Sequence, residues 1–159
     1  MSNQPEQTTK FRNALGSFAT GVTVITALGQ DGQKVGMTAN SFNSVSLDPA
    51  LVLWSVGRDA NCFEDFIAAK AFAIHVLAAD QQDLSNRFAK SGADKFADID
   101  CSKGVSGVPI LPHYSACFQC TIEHQYEGGD HVILVGRVVE YSDKDLEPLL
   151  FYRGKYNHF

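Results

Sequence analysis

Long apolar runs are absent from these 159 residues. No stretch approaches the roughly 18 consecutive apolar residues of a membrane-spanning helix. The first ten residues, MSNQPEQTTK, also lack the apolar segment of a secretory signal. A cytoplasmic protein with no membrane association is therefore expected. Basic clusters are missing too: 13 Lys and Arg against 18 Asp and Glu leave a net charge of −5, with the cations scattered along the chain. Affinity for a phosphate backbone needs a basic footprint, so nucleic acid is not expected as a partner. A single phosphorylated small molecule needs only a few local donors and stays compatible with this balance.

Catalytic signatures are equally sparse. Neither G-x-G-x-x-G opening a helix nor G-x-x-x-x-G-K-[ST] occurs, which excludes a Rossmann dinucleotide site and a P-loop. Any nucleotide must be held another way. GVSG around Ser106 lacks a spacer residue of a nucleophile elbow and follows no strand pattern. None of the five histidines forms H-E-x-x-H, and four cysteines in a chain this long give no disulfide framework. Cys117 and Cys120 make a lone C-x-x-C without the second pair of a zinc site, so no metal is expected. On a strand, residues three apart face opposite ways, and the two thiols should diverge as buried reduced side chains.

What remains is a soluble composition, 45% apolar and 19% charged, sufficient for one domain. Such a chain buries roughly two thirds of its unfolded surface without disulfides or metal. We expect a disordered segment over residues 1–9 and a single domain from 10 to 159. KFRNALGSFA spaces Phe11, Ala14, Leu15 and Phe18 as an amphipathic helix does. TGVTVITAL alternates as a strand and is followed by an Asp31-Gly32 turn, which predicts a hairpin with the segment after it. ALVLWSV reads as a strand buried on both faces, and AFAIHVLAA as another. Between and after them, Asn61 with Glu64 and then Asp80 are candidate caps of two short helices, the second carrying Leu84 and Phe88 toward the core. Lys90 to Leu111 reads as a long loop, a common place for function. The strongest hairpin signal is ACFQCTIEHQY, the EGGD turn and HVILVGRVVEYS. About six antiparallel strands with two or three helices make a mainly β protein. A closed or split β-barrel with helices over its ends follows, because closure removes exposed edges.

Two histidines stand out. His75 lies inside an apolar strand and is expected as a satisfied core or interface residue. His131 directly follows the Gly128-Gly129-Asp130 turn, where a side chain reaches a cleft mouth, although a lone turn histidine is more often structural. MTANSFNSVSLDP, from Met37 to Pro49, is unusual in another way: strand-like, yet crowded with Thr38, Asn40, Ser41, Asn43, Ser44 and Ser46 and free of charge before Asp48. Cross-strand hydroxyl pairs or a solvated edge would account for it. So would a heteroaromatic ligand such as a flavin, whose ring nitrogens, carbonyls, hydroxyls and phosphate neutral donors satisfy at little desolvation cost.

FATGVTVITA, GMTANSFNSVSLDPALVLWSV, LSNRFA, GDHVILVGRV and PLLFYRGKY occur in this order. Together they resemble the short-chain flavin reductases that serve two-component monooxygenases, over about Phe11 to Tyr156. The resemblance implies an FMN-binding split barrel, a homodimer, and reduction of FMN or FAD by NADH or NADPH, with reduced flavin passed to a separate oxygenase. It also implies site residues. Thr38, Ala39, Asn40 and Ser41 would line the isoalloxazine and ribityl chain with Ser46 close by, and Ser55 and Val56 would form a second wall. Asn61 would sit near the flavin phosphate at a helix start, Phe88 beside the ring, and Lys95 near the phosphate. His131 and Tyr156 would face the nicotinamide, His131 orienting it without acting as an obligatory acid. Pro49-Ala50 and GRDANCF depart from the family's usual Pro-Pro and hydroxyl-rich stretch, which leaves FMN against FAD open. A flavin- or haem-holding protein without turnover, on the same barrel, is the alternative.

Overall fold

Alternating β-branched residues and Gly-bearing turns translate into a chain of hairpins. The structure is a computed structural model and describes residues 4–92 and 94–159. The elements run α1 (Gln4–Leu15), β1 (Thr20–Gly21), β2 (Thr23–Leu28), β3 (Lys34–Ala39), β4 (Asn43–Leu47), β5 (Ala50–Gly57), α2 (Phe63–Ala68) and β6 (Ala71–Val76). They continue with α3 (Gln82–Ala89), β7 (Ser102–Lys103), β8 (Pro109–Ile110), β9 (Ala116–Gly128), β10 (His131–Asp143), β11 (Leu150–Tyr152) and β12 (Lys155–Asn157). Where about six strands are expected, the principal sheet has seven, in the order β3-β2-β6-β9-β10-β5-β4. Every neighbouring pair in it is antiparallel.

The two edges of that sheet, β3 and β4, are consecutive in sequence. Residues 40–42 carry the chain from one edge to the other, and Ser41 pins the crossing: its Oγ accepts from the Ser55 amide at 2.9 Å and donates to the Ser55 carbonyl at 3.3 Å. The sheet curls until β3 approaches β5 at this seam while β3 and β4 stay unpaired to each other, which makes a split barrel. A smaller sheet, β1-β11-β12, packs beside it.

Inside the barrel, Trp54 meets Phe66 and Phe72 edge to face, with ring centroids 4.9 and 6.1 Å apart, among Ile25, Val52, Val56, Ile74 and Leu134. Gly136 of β10 passes so close that a Cβ there would lie 2.6 Å from the Phe72 ring and 2.8 Å from Cys120. A second cluster holds Val22, Val24, Leu77, Phe88, Leu111 and Leu149, and a third holds Val108, Ile110 and Cys117. Cys117 and Cys120 thus face different cores, as the strand period requires, and burial pushes each thiol up to about 12. His75 is fully buried and fully bonded. The Leu111 amide donates to its Nε2 at 3.1 Å, so the ring proton sits on Nδ1, which donates to the Val24 carbonyl at 3.1 Å.

Local expectations shift at the helix ends. Helix is expected over residues 10–19 after a disordered head; instead α1 spans Gln4–Leu15, so residues 4–9 are helical, and residues 1–3 lie outside the described residues. It stops at Leu15, where the Gly16 and Ser17 amides donate back to the Arg12 and Ala14 carbonyls. None of its residues is buried. The N-cap of α2 is Cys62, not Asn61, and that of α3 is Gln81, not Asp80; neither side chain bonds an amide of its own helix, and Gln81 instead accepts from the Ala78 amide and donates to the His113 carbonyl. Asp80 instead contacts His113 Nε2 at 3.1 Å. The long loop after α3 contains the short β7–β8 ladder.

Candidate functional site

The polar stretch is not one strand. It ends β3 at Ala39, bends over residues 40–42 and resumes as β4, so the face each side chain takes is reset midway. Its neutral groups then go separate ways. Thr38 Oγ1 donates to the Ser85 carbonyl on α3 at 2.7 Å, and Ser41 closes the seam onto Ser55. Ala39 packs into the barrel core, Asn40 is exposed, and Ser46 is half-buried on β4, next to the pair it forms with Leu51.

Four of the residues implied by the resemblance meet around one cavity of about 560 Å³: Thr38, Asn61, Phe88 and Lys95. Lys34, Lys90 and Asp65 join them on its rim. The Lys95 ammonium donates to the Gly36 and Phe88 carbonyls, each at 3.1 Å, and so straps the loop after α3 across β3. Phe88 is buried beneath the cavity and stands edge-on to Phe96 at 5.1 Å. This packing needs a glycine at 36, since a Cβ there would lie 2.7 Å from the Phe88 ring. Cys62 also lines the cavity; burial raises its pKa, with Lys95 acting in the opposite direction, so the thiol stays protonated and is a poor nucleophile.

His131 sits apart, at the start of β10 opposite Gly57. Its Nδ1 meets Asp130 Oδ1 at 2.7 Å, and the ring's hydrogen bond and charge hold the Asp130 carboxyl below its usual range. Arg58 anchors that turn: its amide donates to the Asp130 carbonyl and its Nε to the Gly129 carbonyl, while the guanidinium pairs with Glu127. The loop from Gly57 leads on to Ala60, Asn61 and Cys62 in the cavity wall, which links His131 to it. Tyr156 is not among the residues lining the cavity; it packs edge-on against Phe151 and meets α3. Its hydroxyl shares a 2.7 Å hydrogen bond with Ser85, the residue whose carbonyl receives Thr38.

Two implied wall residues behave differently from their neighbours. Val56 has no exposed surface, because β5 turns it into the barrel core, so only its backbone can face a ligand; the side chain of Ser55 points the other way and is half-buried. Asn40 opens onto a second cavity, beside α1. Ser85, Lys34, Lys90 and Gly36 escape a reading of the sequence alone. For Gly36 a signal existed, since a glycine inside a strand marks close approach of neighbouring groups. For the others the contacts span long separations in the chain and leave no local pattern.

The volume lies within the usual range for a small-molecule site. The Thr38 hydroxyl and Asn61 amide, with ammonium groups from Lys34 on β3 and from Lys90 and Lys95 after α3, suit a heteroaromatic ring bearing a phosphate, and the residues present fit a flavin. The model of the flavin reductase-like domain matches residues 15–159, and the chain belongs to that family. Among its relatives is the FMN reductase (NADH) SmoA of Agrobacterium fabrum, 47% identical over 154 residues, covering 97% of this chain and 87% of SmoA. The reductase component of the trigonelline monooxygenase of Acinetobacter baylyi is 44% identical over 92% of this chain, which spans only 47% of that protein. The NADH:FAD oxidoreductase SgcE6 of Streptomyces globisporus, solved with NAD and FAD fragments, superposes with a TM-score of 0.91 at 40% identity, over 98% of this chain and 94% of SgcE6.

Proposed function

We propose that this chain is an NAD(P)H:flavin oxidoreductase that reduces FMN or FAD and releases the reduced flavin to a separate oxygenase. The observation that carries this reading is the cavity where Thr38, Asn61, Phe88 and Lys95 converge, in a chain of the flavin reductase-like family. Residues 38–41 line the ring and ribityl chain, with Ser46 nearby. Ser55 and the Val56 backbone supply the facing wall, and Asn61 and Lys95 hold the phosphate. Hydride passes from nicotinamide to flavin when both are bound, and no protein nucleophile is required.

The work of the protein is alignment, which contributes several kcal/mol when it replaces a chance encounter with stacked, preplaced partners. His131, fixed by Asp130 and by the Arg58 anchor, orients the nicotinamide. Tyr156 is set against the same ring by its bond to Ser85. Backbone amides of residues 38–41 stabilise charge that grows on the flavin edge, as fixed donors in a dry site do.

Anaerobic oxidation of NADH and NADPH, with FMN, FAD and riboflavin offered in parallel, tests the reading directly. Loss of nicotinamide absorbance with flavin bleaching is expected. Flavin binding without turnover would instead favour the non-catalytic flavin or haem carrier. His131→Ala should raise the KM for NAD(P)H well beyond its effect on flavin Kd; equal losses in both would remove the orienting role. A homodimer belongs to the same reading. β4 is an outer strand with Val45 and Leu47 exposed, the latter 97%, and β10 exposes Val139 and Tyr141. Apolar side chains along an unpaired edge call for cover, and light scattering on the purified chain should give twice the 17.3 kDa mass.

A further inference from the structure

His131 rests on a seat made by two residues to which the family resemblance gives no role. Gly57 and Arg58 open GRDANCF, the stretch that departs from the family's usual pattern. β5 ends at Gly57, which stands opposite His131 in register. A Cβ on Gly57 would lie 3.6 Å from His131 Nε2 and 3.8 Å from its Cε1, so the imidazole edge lies over backbone that carries no side chain. Asp130 holds the other nitrogen, Nδ1, at 2.7 Å.

The turn that presents His131 is intrinsically loose. Gly128 and Gly129 are adjacent, the second at φ +71°, and glycine backbone has the widest conformational freedom. Arg58 removes that freedom from three directions. Its amide donates to the Asp130 carbonyl at 2.9 Å, its Nε to the Gly129 carbonyl at 3.0 Å, and its guanidinium pairs with Glu127. A planar fork with several fixed donors sets orientation as well as position. The side chains of Arg58 and Glu127 are 41% and 83% exposed, and ion pairs so open to water add little stability.

The same residue also touches the cavity side. Arg58 Cζ lies 5.9 Å from the ring centroid of Phe63, the first residue of α2. The chain between them forms the cavity wall at Ala60, Asn61 and Cys62. Two successive turns take up its slack, the Ala60 amide donating to the Gly57 carbonyl at 3.1 Å and the Phe63 amide to the Ala60 carbonyl at 3.0 Å.

We infer that Arg58 is a positioning residue for hydride transfer: it locks His131 onto Gly57 at a fixed offset from the flavin wall, so that the nicotinamide His131 orients is aligned with the flavin ring. The inference rests on the reductase reading. Steady-state kinetics of the full chain tests it with Arg58→Met, which keeps an aliphatic stem and loses every side-chain donor. kcat/KM for NADH should fall at least about tenfold, since a misplacement of about 1 Å costs up to about a hundredfold. The FMN Kd, from fluorescence titration without nicotinamide, should stay within about twofold. Arg58→Lys keeps a charge for Glu127 but not the fork, and should recover part of the loss. In a His131→Ala background, Arg58→Met should cost little more, because residues that act through one contact are not additive. Melting should shift by no more than about 4 °C.

Wild-type kinetics in Arg58→Met, equal losses in kcat/KM and FMN affinity, additive losses with His131→Ala, or a larger melting shift shared by the Met and Lys variants would overturn the inference. Proton NMR supplies a readout without turnover. The ring Hε1 signal of His131, identified by its loss in His131→Ala, should move or broaden in Arg58→Met while that of buried His75 stays in place. An unmoved His131 signal would overturn the seat. Absence of any flavin reduction by wild type would instead overturn the reductase reading, with the ring signal still deciding whether Arg58 holds His131.

Discussion

The two cavities that flank residues 38–40 are built in opposite ways. On the Thr38 side the floor is Phe88, fully buried and braced by Phe96, and Lys95 straps the loop above it to two carbonyls. On the Asn40 side the wall is α1, a helix with no buried residue, beyond whose end the Gly16 carbonyl accepts from the Arg153 amide. A site whose walls belong to the core has its geometry set before a ligand arrives. One whose wall is a surface helix draws part of its order from the ligand, since local stability follows the number of buried contacts. In the reading advanced above, the first holds the flavin ring and phosphate, where alignment decides the rate.

The contrast breaks most readily at Phe88. Phe88→Ala should destabilise the fold by about 3–5 kcal/mol, the usual loss for a buried aromatic, and weaken flavin binding with it; urea unfolding reads the first effect and flavin fluorescence the second. An equally large loss from Phe11→Ala on α1, expected within about 0.5 kcal/mol as for an exposed residue, would erase the distinction.

Acid gives a second handle on the rigid side, because His75 ties β2 and β6 to the segment at Leu111. Burial lowers its pKa from 6.5 to about 4. The unfolded chain therefore takes up this proton near pH 6.5 and the folded chain only near pH 4. The stability is complete above pH 6.5 and is lost as pH falls toward 4, by on the order of 3 kcal/mol. Urea unfolding at pH 4.5 and 7 should show the loss in wild type. His75→Leu, less stable overall because it strands the Leu111 amide and Val24 carbonyl, should show a flatter profile over that window.

Gly36→Ala sharpens the comparison at about 1–3 kcal/mol, the range for overpacking, since its Cβ would press on Phe88. Thermal unfolding checks it, and no change in Tm would mean that the cavity floor yields. Lys95→Met should weaken FMN more than riboflavin, by about 1.5–3 kcal/mol for a hydrogen bond to a charged group. Equal losses for both flavins, measured by fluorescence titration, would leave Lys95 as a loop strap alone.

Much of this was legible beforehand because it is local. The hairpin of β2 and β3, the long β9–β10 pair, the divergence of Cys117 and Cys120 and the satisfied core His75 follow from period-2 alternation and turn residues. Each expected helix cap lies one residue before the real one, and the Asp80 carboxylate, which has capping chemistry, meets His113 instead. The single polar strand was really two, because nothing local says that β3 and β4 lie on opposite edges of one sheet.

The amino-acid sequence on its own determined the kinds of element, their order and the family, all written in short-range patterns and in motifs kept in register along the chain. Only the tertiary structure decided which groups share a cavity. Lys95 reaches the carbonyl of Gly36, Tyr156 reaches Ser85, and Arg12 lies beside Arg153 because the sheet curls and closes at Ser41 and Ser55. Contacts between residues so far apart depend on that curvature, which arises from the packing of the whole core and from no single stretch of the chain.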